Sequence, residues 1–322
     1  MRRVKADKLE TSFADPKLAT PTPFYGGQAV IEGVMMRGPH HLAVAVRNPK
    51  GQIVVHQEPL TGAVYRSRWV RLPFVRGAIV LWETLALGMR ALTFAANVAL
   101  GGEQEEQAIA ESSQGLQGSI MGSMIFAMLL AAGIFFVLPV VLTNAADRYI
   151  GSPLVSNLVE KVIRLALILG YMIGIGQLPD VKRVFGYHGA EHKTINAFEA
   201  GVELTVPNVR SFTLLHPRCG TTFLLVVVIV SFFVFALLGR PPLAERIISR
   251  IVLIPVIAGV AYELVRLGAT HYQKRLVRKL LAPGLAVQRL TTREPDDAML
   301  EVGIASLKAV LAAEGIAFVL GG

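Results

Sequence analysis

The chain has 322 residues, of which 53% are hydrophobic and only 17% charged, and its mean hydropathy is +0.52. That composition argues against an ordinary soluble enzyme and points to a membrane protein with a sizeable wet portion. The net charge of +9 suits basic flanks on membrane spans facing anionic lipid rather than nucleic-acid binding, because no basic stretch is interleaved with aromatics.

Residues 1–23 read as a flexible basic tail carrying Arg2, Arg3, Lys5 and Lys8, without the apolar core of a cleaved signal peptide. Residues 24–72 read as a cytoplasmic β-rich segment, in which Gly26, Gly27, Gly33 and Gly38 punctuate a short apolar strand. Glu32 and Arg37 lie in it, either as functional groups or as surface residues of that strand. Further on, Asn48-Pro49-Lys50-Gly51 is a turn between two alternating runs, which predicts a β-hairpin.

Residues 73–100 are apolar but carry Arg76, Glu83, Arg90 and Asn97 at a constant spacing of seven, one stripe on a helix. Charges along a spanning helix are costly, so an interfacial or re-entrant helix is expected, with the stripe facing water or the wet portion. Residues 101–120 read as a linker. Residues 121–268 read as a four-helix membrane domain with spans near 121–143, 162–178, 222–238 and 251–267 and a His-rich cytoplasmic loop over 180–220. Residues 269–322 hold a basic amphipathic segment at 273–281 and then a C-terminal helix. Asp296 and Asp297 cap the start of that helix, and Leu300, Ile304, Leu307 and Leu311 share one of its faces. The expected fold class is therefore a mainly α membrane protein with about four transmembrane helices, plus a cytoplasmic α+β portion with a β-hairpin and an interfacial amphipathic helix. Basic residues concentrate before the first span, in the central loop and after the fourth, which places both termini in the cytoplasm.

The chemistry is concentrated in the central loop. His188-Gly189-Ala190-Glu191-His192 puts two imidazoles four apart, on one helical face, with a carboxylate beside them. His-x-x-Glu-His is the inverzincin order, two ligands and a general base. A catalytic zinc needs a third protein ligand and an open position. Glu263, inside the last apolar run, and Cys219 are candidates for it; His216 and Glu199 are further ones. The competing readings are polar residues bonded to carboxylates and headgroups for the histidines, an ion pair with Arg266 or Lys182 for Glu263, and a small buried residue for Cys219, the only cysteine, which leaves no internal disulfide or CxxC site.

The stretches 26–39, 188–201, 216–221 and 291–297 resemble, in that order, the YqhQ-like bacterial membrane proteins, a family of unknown function. The resemblance implies an integral protein of the bacterial inner membrane. It also implies a divalent metal, zinc by choice, since the family has been described as predicted metal-dependent enzymes. The expected function is a metal-dependent hydrolase at the cytoplasmic membrane face, with Glu191 catalytic and His188, His192, Glu263 and Cys219 binding the ion. The alternative is a non-catalytic scaffold or regulator that binds a protein partner on the cytoplasmic face. The expected partners are the lipid bilayer and that protein, and no nucleic acid. A transporter is disfavoured, because the first and third apolar runs hold no ionisable residue to line a path.

Overall fold

The computed structural model describes residues 25–61, 72–99, 122, 126–239 and 241–316. The tail over 1–23 and the whole 101–120 linker lie outside the described residues, as do Arg66, Arg68 and Arg71.

Strands β1 (Gly26–Val30), β2 (Gly33–Arg37), β3 (His41–Arg47) and β4 (Ile53–Pro59) form an antiparallel meander in the order β1-β2-β3-β4. The turn foreseen at 48–51 links β3 to β4. Gly51 takes a φ of +83° there, and the Asn48 side chain accepts from the Gln52 amide at 2.9 Å. The sheet is covered on both faces, so β2 and β3 are apolar on both. Helix α1 (Val75–Ala99) lays Leu87, Ala91, Ala95 and Val98 on Met35, Leu42, Val44 and Val46. Val34, Met36, Ala43 and Ala45 face the opposite way, into a core shared with two further helices. These are α4 (Pro179–Glu199) and α10 (Asp297–Ala313).

Between α1 and α10 in sequence also lie α2 (Phe126–Ala146), α3 (Pro153–Ile175), α5 (Val206–Arg210), α6 (Gly220–Ala236), α7 (Leu243–Val252), α8 (Ile254–Thr270) and α9 (Arg275–Thr291). Helix α2 contains a π-helical stretch, Gly133–Val137. Among the described residues, α1 and α2 are long and apolar enough to cross a membrane, and α7 with α8, bent by 47°, would make a third. That set differs from the four spans expected. Helix α3 is longer than foreseen, and its added length carries Glu160 and Lys161 beside Arg164, too much charge for an apolar span. Helix α6 has only 17 residues.

One expectation needs revision. Residues 180–199 are not loop. They form α4, whose middle is buried although its sequence is barely apolar. Long-range packing, not periodicity, makes this helix: its polar side chains find carbonyl partners in distant segments. The stripe on α1 is paired with the sheet at two positions and with α8 at a third. Arg37 on β2 donates to Glu83 at 2.7 Å and Arg90 donates to Glu58 on β4 at 2.5 Å, while Arg76 reaches Glu263 on α8. The same helix packs its first turn on α8, where Gly77 lies against Gly259 and Tyr262. Helix α1 thus joins the sheet to the apolar helices.

The Asp296 carboxylate caps α10 by accepting from the Met299 amide at 2.8 Å, and Leu300, Leu307 and Leu311 are buried beneath it. Glu32 occupies the short β1–β2 link at a φ of +52°, a conformation that costs a non-glycine residue about 1 kcal/mol. It is held there by two hydrogen bonds from Arg183, at 2.6 and 2.5 Å, and one from the Tyr187 hydroxyl at 3.2 Å. The Arg183 bonds, acting against partial burial, keep the Glu32 carboxyl below the usual carboxylate range. A depressed carboxylate stabilises the fold above its unfolded pKa, and that contribution disappears as pH falls through the lower folded value. Because Arg183 is half exposed, it amounts to about 1 kcal/mol at most. Glu32→Gln is expected to lower the unfolding midpoint near neutral pH and to flatten its dependence on pH below about 4.5. Thermal unfolding in detergent at several acidic pH values reads this directly, and parallel acid limbs for both proteins would contradict it.

Candidate metal centre

Helix α4 presents His188 and His192 on adjacent turns, with ring centroids 4.4 Å apart. Each ring is fixed by its Nδ1. His188 Nδ1 lies 2.8 Å from the Thr291 carbonyl, and His192 Nδ1 lies 2.5 Å from the Leu214 carbonyl. A backbone carbonyl only accepts, so both Nδ1 atoms carry a proton, which in the neutral ring leaves the lone pair on Nε2. Cys219 meets them from the residue before α6, its Sγ 3.4 Å from His188 Nε2 and 3.1 Å from Thr221 Oγ1. One ligand atom from each of His188, His192 and Cys219 can be chosen so that all lie within 4.8 Å of one another. Two neutral imidazoles and a thiolate are a ligand set that zinc and similar divalent ions favour. Carbonyl partners on the remote nitrogens are the outer support such histidines ordinarily have.

Glu191 lies alongside, its Oε2 3.8 Å from His188 Nε2 and 3.9 Å from His192 Nε2. Burial pushes its carboxyl up, against the nearby His188 and a hydrogen bond from the Gly27 amide. Gly27 is needed for this approach, since a Cβ there would meet Glu191 Cγ at 2.9 Å and the Met35 carbonyl at 2.5 Å.

Residues 213–219 are stitched to the helices by side chains. Asn196 donates to the Thr213 and Leu215 carbonyls at 2.9 and 3.1 Å. Gln288 on α9, fully buried, brackets His216 by accepting from its amide at 2.9 Å and donating to its carbonyl at 2.7 Å. His216 is adjacent to His192, with centroids 5.6 Å apart. Its Nε2 stands 3.8 Å from Glu199, beyond hydrogen-bond length, and burial pulls its pKa down to about 4, so the ring is neutral. Glu199 instead takes a hydrogen bond from Arg218. These two therefore line the back of the cluster.

Among the expected site residues, the structure brings together His188, Glu191, His192 and Cys219, with His216 and Glu199 beside them. Glu263 is placed elsewhere. It accepts two hydrogen bonds from Arg76 and one from the Phe74 amide at 3.3 Å, so its half-buried charge is matched on α1 rather than by an ion near the histidines. Arg37 pairs with Glu83 and Glu32 with Arg183, each tying the sheet to a helix. Gly27 and Gln288 were not foreseen as site residues. Gly27 stood out only as one of several glycines, and nothing local marks Gln288.

A family model described as "Protein of unknown function (DUF1385)" matches residues 72–313. The chain belongs to that family. The DUF1385 match takes in all three prospective ligands and Glu191, and begins after the sheet that supplies Gly27. The chain is also 36% identical over 303 residues to "Uncharacterized protein YqhQ" of Bacillus subtilis (strain 168), covering 91% of this chain and 94% of that protein. No solved structure matches.

Proposed function

We propose that His188, His192 and Cys219 hold a divalent metal ion, zinc by donor chemistry, and that the protein is a membrane-bound metal-dependent hydrolase working at the cytoplasmic membrane face. One observation carries this reading: two imidazoles with their Nδ1 atoms locked on carbonyls turn bare Nε2 atoms toward the only thiol in the chain. The set has three members and leaves a position open, as catalytic rather than structural sites do. An ion held there acidifies water and polarises a carbonyl or phosphoryl oxygen. Glu191, oriented by the Gly27 amide, takes the proton from the attacking water and returns it to the leaving group. The surrounding basic residues, Lys182, Arg183, Lys193, Arg210 and Arg218, favour the cytoplasmic side of a bacterial inner membrane.

Metal analysis of purified protein tests the first step. About one ion per chain is expected for the wild type, and at most about a tenth of that for His188→Ala with His192→Ala. Equal, negligible metal in both proteins would remove the proposal. Glu191→Gln separates the second step. It is expected to retain the ion and to lose turnover by about a hundredfold or more on whichever ester, phosphodiester or peptide the wild type cleaves.

The burial of Glu191, His192 and Cys219 favours a second reading, a metal centre that only braces the cytoplasmic portion for a protein partner. Under it, Glu191→Gln keeps both the ion and the activity in cells.

A further inference from the structure

A second group of charges lies on the N-terminal half of α3. Glu160 is fully buried, and four cations converge on it. Lys161 Nζ is 2.7 Å from its Oε1 and Arg164 is 3.1 Å from the same oxygen. From α7, Arg250 reaches Oε2 at 2.7 Å and Arg246 reaches it at 3.3 Å. Arg246 also donates to Asp147, at the end of α2, at 2.7 Å. Lys161, Arg164, Arg246 and Arg250 against Glu160 and Asp147 leave a formal surplus of two positive charges among the described residues, although burial pulls the pKa of the Lys161 ammonium down to about 7.

The surplus is out of water, since all four cations are at most 6% exposed. Aromatic faces meet part of it. The Phe235 ring lies 3.9 Å from the Arg250 guanidinium carbon and 4.4 Å from Lys161 Nζ, and Phe136 lies 5.3 Å from Arg164. A ring quadrupole does not neutralise a charge, and buried charge without a counter-ion is costly. Two buried polar atoms here also have no hydrogen-bond partner, the Arg164 Nε–H donor and the Asn157 Oδ1 acceptor. Asn157 is 3% exposed, and its amide nitrogen already donates to the Phe232 carbonyl at 2.9 Å.

We propose that this cluster binds an anion of the phosphate class that carries a hydrogen-bond donor of its own, as a phospholipid headgroup or as free inorganic phosphate. The anion's oxygens accept from Arg164 Nε and offset the surplus charge, for which a guanidinium fork is well suited. The anion's donor, a P–OH, a glycerol hydroxyl or an ammonium, satisfies Asn157 Oδ1. Chloride has no donor and a plain carboxylate has none, so neither completes the site. The same stretch of α3 exposes Leu154, Leu158 and Val162, and α7 exposes Ile248 and Ile251, so acyl chains have apolar surface beside the charges.

The test uses the full chain, delipidated in a neutral detergent. Phosphatidylglycerol, phosphatidylcholine and inorganic phosphate are titrated separately, with native mass spectrometry for stoichiometry and thermal unfolding for stabilisation. The wild type is expected to take up one phosphatidylglycerol saturably and to unfold at a higher temperature with it. Phosphatidylcholine, which lacks the donor, is expected to bind at least about tenfold more weakly. Stabilisation by inorganic phosphate equal to that by the lipid would identify the free ion as the ligand and support the site. Arg164→Gln is expected to weaken binding by about tenfold or more, and Arg164→Lys by less. The wild-type titrations stand even if Arg164→Gln fails to fold. Absence of saturable binding by both phosphate sources, or wild-type affinity in a folded Arg164→Gln, would overturn the proposal.

Discussion

Glu160→Gln is expected to destabilise the folded protein by about 3–5 kcal/mol, the usual cost of removing one partner from a buried ionic cluster. Glutamine keeps the shape of the side chain but removes its charge. It also turns an amide donor toward cations that only donate. Lys161, Arg164, Arg246 and Arg250 would then share one remaining carboxylate, Asp147, which accepts from Arg246. Helices α3 and α7 meet largely through these contacts, so the loss should appear as a lower unfolding temperature and a weaker association of 243–252 with the rest. The effect should be non-additive. Arg250→Met in the Glu160→Gln background is expected to recover part of the loss, because one fewer cation then lacks a counter-charge. Unfolding curves in detergent for the two single variants and the double complete the cycle. A Glu160→Gln protein as stable as the wild type would mean that the cations are not buried as a charged group.

This cluster was not legible in the sequence. By sequence alone Lys161, Arg164, Arg246 and Arg250 are basic residues near the borders of apolar runs, where such residues are common. What gathers them is one carboxylate met by side chains 86 and 90 positions away, and nothing periodic announces that. Glu263 misled for the same reason. A lone carboxylate in an apolar run reads as a functional group, but its partner, Arg76, lies 187 residues earlier. Local signals fared better. The spacing of His188 and His192 needed only helix geometry, and the 48–51 turn and the Asp296 cap needed only short-range chemistry. Composition hides α4, because its polar face is satisfied by carbonyls at 210–215 and 291 that only the fold supplies.

Gly189→Ala is expected to separate the histidines from their support, although it adds one methyl group to a residue that binds nothing. In α4 an alanine has better helix propensity than glycine by about 1 kcal/mol, so local structure predicts stabilisation. The packing predicts the reverse. A Cβ at 189 would lie 2.1 Å from the Arg293 carbonyl oxygen and 2.9 Å from Leu214 Cδ2. The first of these is backbone, and that backbone is anchored to α4 by the Arg293 amide, which donates to the Phe185 carbonyl at 2.9 Å. Relief of the clash must therefore move residues 291–294 away from the helix. Thr291 supplies the carbonyl that holds His188 Nδ1, and Leu214 supplies the one that holds His192 Nδ1. Both rings lose their fixed tautomer together. Loss of such outer support typically lowers metal affinity by about 10–100-fold, and the overpacking itself costs about 1–3 kcal/mol. Gly186→Ala on the same helix is the control, because its Cβ would meet only the flexible Met299 side chain, at 2.6 Å. Metal titration and thermal unfolding of the two variants should diverge, with Gly186→Ala close to wild type and Gly189→Ala impaired in both. Equal behaviour of the two would show that the 291–294 segment does not position the cluster.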